Sequence, residues 1–173
     1  ALLPQSGARH RLHGAGPLTD RFFEDFKVGD RFTSGGMTIT EAAIIDFARQ
    51  WDPQPFHTDP EFASKWTFGG LIASGLHTMA ATLRLWLDLG VFRACSLGSP
   101  GIGEVQFPRP VRPGDTLRVV SDIVQLRPSA SRPDRGIARL RQVTINQHGE
   151  QVMEQETTVF LKKRPAASAA LSS

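Results

Sequence analysis

Cysteine is nearly missing from this chain: one residue, Cys95, in 173. That excludes an intrachain disulfide framework and a cysteine-rich metal site. A lone thiol fits a reducing compartment, so a cytoplasmic setting is expected. Long apolar runs are missing as well. No stretch reaches the roughly 20 residues that a helix needs to cross a bilayer, so no membrane partner is expected. The opening ALLPQSGARHRLHGAGPLTD lacks the apolar core and cleavage pattern of a signal peptide. A strong excess of one charge is absent too. Lysine and arginine number 20 against 17 acidic residues, a formal net charge of +3, which is too little to point to nucleic acid. Residues 21–100 carry seven basic and nine acidic groups, residues 101–173 eleven and seven, so an anion is better received by the second half. No glycine-rich loop stands between a strand and a helix, which excludes dinucleotide and P-loop phosphate sites. No internal repeat is visible.

What is there suffices for one well-cored domain. Residues 1–20 read as a flexible arm and 165–173, PAASAALSS, as a flexible tail, leaving a domain over 21–164. Val28-Gly29-Asp30 predicts a turn before a strand over 31–39. Thr40 can cap a helix with Glu41 in its first turn, and Ile44, Ile45, Phe47 and Ala48 supply its stripe up to Gln50. Pro53 and Pro55 end it. Asp59-Pro60 starts a second short helix. A third runs from Ser74-Gly75 to about Leu89, with Gly90 as its stop and Leu76, Met79, Ala80, Leu83 and Leu87 as its buried stripe. Four strands follow: a short one over 101–108, then three long ones, VRPGDTLRVVSDIVQL, GIARLRQVTINQHG and EQVMEQETTVFLKK, the last two forming an antiparallel hairpin. The pattern predicts an α+β domain, a single hotdog fold in which a curved antiparallel sheet wraps around one long central helix.

The chemistry concentrates in WDPQPFHTD, residues 51–59. Asp52 and His57 fall about 140° apart on a straight helix and point opposite ways on a strand. A loop bent by two prolines can turn both towards one point and holds them with little entropy left to lose. Histidine takes and gives protons near neutrality, and a carboxylate beside it can orient it or share its water. The plainer reading is that Asp52 caps a helix end and His57 lies at the surface. Further on, FGGLIASGLHT opens the long helix at Ser74 and Gly75. A helix start presents unpaired N–H groups, and the Gly75 N–H could polarise a carbonyl and stabilise an enolate. Alternatively, Gly75 relieves crowding where the helix meets the sheet.

Taken together, D-x-x-P-x-H-x-D at 52–59 and F-G-G-x-I-A-S-G at 68–75 resemble the MaoC-like dehydratases, which include the (R)-specific enoyl-CoA hydratases. GSPGIGEVQFPRPVRPGDTLRV at 98–119 resembles a strand and turn of the same family, and the likeness spans about 30–162. The resemblance implies a homodimer joined through its sheets and water addition to a 2-enoyl-CoA, or its reverse. Asp52 and His57 would activate the water and move the proton, and Gly75 would donate to the thioester carbonyl. It implies CoA thioester as substrate and no metal or redox cofactor. Two positions depart from the family's commoner wording: Gln54 stands for an asparagine and Ser74 for a histidine.

Other residues fit around this picture. Trp51, Trp66, Phe68 and Ser74 would line the pocket, Phe56 would anchor the loop, and His77 would sit near the pocket mouth. Arg109 and Arg112 could reach a CoA phosphate. Asp52, His57 and His77 match no metal-ligand spacing. Two other functions use the same fold: an acyl-CoA thioesterase, in which a carboxylate drives water at the carbonyl itself, and a non-catalytic protein that grips acyl-CoA.

Overall fold

The structure, a computed structural model, describes residues 20–165. The predicted arm and tail lie outside it apart from Asp20 and Pro165. After a single 3-10 turn at Phe23–Asp25 come β1 (Arg31–Thr33) and β2 (Met37–Thr38), then α1 (Glu41–Trp51), α2 (Pro55–Thr58), α3 (Pro60–Ser64) and α4 (Gly75–Asp88). Four strands close the chain: β3 (Gly101–Gln106), β4 (Thr116–Pro128), β5 (Arg135–Ile145) and β6 (Gln151–Lys162). The main sheet runs β1-β4-β5-β6-β3 with β2 also on β4, and every pairing is antiparallel.

The helix signals act where the sequence places them. The Thr40 side chain accepts from Ala43 N at the start of α1, Asp59 accepts from Glu61 N and Phe62 N at the start of α3, and Ser74 accepts from Leu76 N at the start of α4. The predicted strand over 31–39 breaks into β1 and β2, because Ser34 turns inward and accepts from Val119 N through its hydroxyl.

The expected curved sheet wrapped around one long central helix is overturned. The fold is α+β and hotdog-like, but its sheet is open: three-residue β1 and six-residue β3 are its two edges and do not pair. Nor does α4 stand alone against it. Ile44 of α1, Ala63 of α3, and Ala81 and Leu85 of α4 belong to one core cluster with Leu117, Val119 and Val152. Each large aliphatic chain so buried contributes about 1.5–3 kcal/mol.

The predicted stripe of α4 is also the wrong face. Thr78, Ala81, Thr82, Leu85 and Trp86 are buried, while Leu76, Leu83 and Leu87 are 53%, 55% and 61% exposed. Threonine can face the core here because its hydroxyl is bonded: Thr82 Oγ1 donates to Thr78 O at 2.8 Å and lies 2.7 Å from Thr144 Oγ1. A second apolar cluster holds Trp86, Phe92, Ile123, Leu140 and Leu161. Between the two clusters runs a row of buried polar side chains, Ser121, Gln142 and Gln155, paired across β4, β5 and β6. The Cys95 thiol is buried in the second cluster, and burial pushes its pKa up to about 11, so it stays protonated at neutral pH.

Candidate active site

Asp52 ends α1. Its N–H donates to Ala48 O, and Pro53 after it disfavours helical backbone, so the chain leaves the helix there. Pro55 then occupies the first position of α2, a single turn that carries His57. His57 therefore sits on a short helix, where a bent loop was expected. It is 4% exposed. Its Nδ1 lies 2.8 Å from Ile72 O; a carbonyl can only accept, so Nδ1 carries the hydrogen and Nε2 of the neutral ring is left as an acceptor. Ile72 N donates back to Phe56 O, which ties α2 to the segment entering α4. Gly69, at φ +63°, supplies the left-handed backbone that lets that segment turn.

The two ends meet. His57 Nε2 is 3.5 Å from Asp52 Oδ2. Ser74 Oγ donates to the same Oδ2 at 2.6 Å, and Gln54 Nε2 donates to Oδ1 at 2.8 Å. The Ser74 hydroxyl above all, with Gln54 and His57, holds the Asp52 carboxyl below its usual range against the opposing effect of burial. Both departures from the family wording thus touch one carboxylate. Gly75 is the first residue of α4, and its N–H has no carbonyl four residues back to meet.

The remaining candidates divide. Phe56 packs edge-on against His57, ring centroids 4.5 Å apart, and against Phe68 at 5.9 Å. Trp51 is 67% exposed, and Trp66 packs on Phe62 of α3. His77 does not join His57: it stacks flat on Phe47 of α1 at 4.6 Å, and burial lowers its pKa. The two arginines answer protein groups. Arg112 donates to Phe68 O at 2.7 Å, and Arg109 lies 3.6 Å from Glu150.

Sequence reasoning passed over Phe107. A β-carbon built on Gly75 would lie 3.0 Å from its Cζ, so this ring covers the helix start. The one signal was an aromatic directly before the Pro-Arg-Pro step. Gly75→Ala is therefore expected to displace Phe107 and lower turnover about tenfold, and Phe107→Leu in the same chain to restore most of it. The double-mutant cycle should show a coupling of about 0.5–3 kcal/mol; additive losses would mean that the ring does not set the approach to the amide.

A histidine, a carboxylate and a helix-start amide thus lie together, and the family match gives the class: general hydratase/dehydratase chemistry on acyl-CoA-like substrates. The chain belongs to the MaoC-like domain family, which matches residues 26–146. It resembles the solved MaoC-like dehydratase from Rhodospirillum rubrum, with 43% identity, a TM-score of 0.79, and coverage of 84% of this chain and 99% of that one. The uncharacterized protein YdeM of Bacillus subtilis (strain 168) is 31% identical over 140 residues, 81% of this chain and 98% of its own. The 3-hydroxyacyl-thioester dehydratase Z of Mycobacterium tuberculosis (strain ATCC 25618 / H37Rv) is 36% identical over 100 residues; the match spans 57% of this chain and 64% of that protein. Among the described residues, no helix is long and apolar enough to cross a membrane.

Proposed function

We propose that the protein hydrates a 2-enoyl-CoA to the 3-hydroxyacyl-CoA, or runs the reverse dehydration. The observation that carries this reading is the 3.5 Å approach of His57 Nε2 to Asp52 Oδ2 beside the start of α4. Both atoms accept hydrogen bonds, so one water can donate to both and turn its lone pairs towards C3 of the substrate. With the thioester carbonyl on the Gly75 N–H, negative charge passes to an oxygen that already has its donor. The water oxygen bonds to C3, one of its protons is taken up at the site, and C2 receives a proton as the enolate reverts to the carbonyl. The resemblance of residues 52–59 and 68–75 to the family's motifs supports these roles for Asp52, His57 and Gly75.

Thioester hydrolysis would need water aimed at the carbonyl carbon, whereas hydration needs water aimed at C3 and a proton delivered to C2, which a histidine and a carboxylate sharing one water can serve. The direct test is loss of the enoyl-thioester absorbance when the protein is mixed with trans-2-enoyl-CoAs of varied chain length. Hydration of one or more supports the reading. Release of free thiol without hydration would replace it with the thioesterase, and binding without turnover with a non-catalytic acyl-CoA protein.

The working unit in this reading is a homodimer. Leu76, Leu83 and Leu87 form an exposed apolar line along α4, and Ile102 on edge strand β3 and Phe107 just after it are 49% and 46% exposed. Edge strand β3 has no lysine or proline and a single charge, Glu104, and Phe107 after it meets the start of α4, so this edge suits pairing with a second copy.

A further inference from the structure

Ser74 is fully buried, and both halves of its hydroxyl are committed. Its oxygen accepts from Leu76 N at 3.2 Å, and its hydrogen goes to Asp52 Oδ2 at 2.6 Å. The positive end of α4 thereby reaches the carboxylate through one hydroxyl. Gln54 gives the other oxygen its own donor. A proton on either oxygen of Asp52 would have to compete with these two donors. The titratable group that faces Asp52 is His57; Ser74 from α4 and Gln54 from the link between α1 and α2 are neutral. His57 differs from Asp52 in having an atom to spare: Nδ1 is spent on Ile72 O, and Nε2 has no comparable donor fixed on it.

We propose that Ser74, with Gln54, is a positioning residue that fixes Asp52 as a standing anion, so that the travelling proton of the hydration is carried by His57. The inference rests on the hydratase reading for its chemistry. In the step it implies, the water oxygen bonds to C3 while one water proton passes to His57 Nε2. The electron pair of the C2–C3 double bond moves into the enolate. As the enolate returns to the thioester, the Nε2–H proton passes to C2. The net change is H and OH across C2–C3, with Asp52 and His57 restored. Asp52 orients the water and balances the imidazolium without itself being protonated.

The sign of the pH effect follows. The folded-state pKa of Asp52 lies below its ordinary value, so its stabilising share is complete above the ordinary carboxylate range. That share is lost only as pH falls through the lower, folded-state value. Removing the hydroxyl moves that loss to higher pH.

The test is a 13C titration of aspartate side-chain carboxyls in the full chain, with Asp52 assigned by its loss in Asp52→Asn. It compares the parent with Ser74→Ala and Ser74→Gly. Alanine removes the hydroxyl and the helix cap together; glycine removes the hydroxyl but caps nearly as well as serine. The Asp52 midpoint is expected to rise in both variants. The acid limb of kcat should follow it, with kcat down about 10- to 100-fold and KM within about twofold. An Asp52 midpoint unmoved in both variants overturns the proposal, and so does a glycine variant that behaves as the parent, since Ser74 would then serve only as a cap. The titration needs no turnover, so it stands even if the parent hydrates nothing, an outcome that would count against the hydratase reading alone.

Discussion

The Asp52→Asn protein is expected to fold and to bind its thioester while hydrating it about 10³-fold more slowly than the parent. Asparagine keeps the shape of aspartate and removes its charge. Its amide nitrogen must face either the Ser74 hydroxyl or the Gln54 amide, and both donate to the native carboxylate at 2.6 and 2.8 Å. One of those bonds is therefore lost or reversed, at a cost of about 1 kcal/mol, which a domain of this size withstands. The rate suffers more, because the water loses one of its two acceptors and the imidazolium its counter-charge. Initial rates from the enoyl absorbance, with a thermal melt and a binding titration of a saturated acyl-CoA, separate the cases. Equal rates would end the assignment of Asp52, and a collapsed melting transition would make it structural.

The second large effect is on assembly. Leu83→Glu combined with Leu87→Glu is expected to turn a two-chain particle into single chains and to weaken association by about 10⁴-fold. Each introduced carboxylate would have to be desolvated at a cost of several kcal/mol. Leu83 and Leu87 are 55% and 61% exposed in the single chain, so the substitutions should leave the fold of each chain intact. Sedimentation velocity over a hundredfold concentration range reads this directly. An unchanged sedimentation coefficient in the double variant, or a parent that sediments as one chain throughout, would remove the α4 line as a contact between copies.

Local signals carried most of the helix plan. Thr40, Asp59-Pro60 and Ser74-Gly75 mark starts by chemistry that acts within three residues, and they operate where they stand. The face of α4 was not local in this sense. Leucines line one side and Ala81, Leu85 and Trp86 the other, and nothing in a period of 3.6 says which side meets the sheet. Threonines 78 and 82 further disguise the buried side by satisfying their hydroxyls within the helix. Asp52 and His57 stood out because prolines flank them. Ser74 could be read only as a departure from a pattern, since its meeting with Asp52 depends on the end of α1 lying against the start of α4, whereas Gln54 reaches Asp52 from two residues away. Phe107 was invisible for the same reason: its contact with Gly75 joins positions 32 residues apart in number.

The row Ser121, Gln142 and Gln155 divides the interior unequally. On one side lie the residues that support Asp52 and His57, among them Ile44, Leu71, Ala73 and the neighbouring Phe56. On the other lie Trp86, Phe92, Leu140 and Leu161, remote from Asp52 and His57 in the chain and in a separate apolar cluster. Repacking the Trp86–Phe92 region is expected to shift the melting temperature while leaving the Asp52–His57 contact in place, because a polar seam stands between the altered packing and that pair.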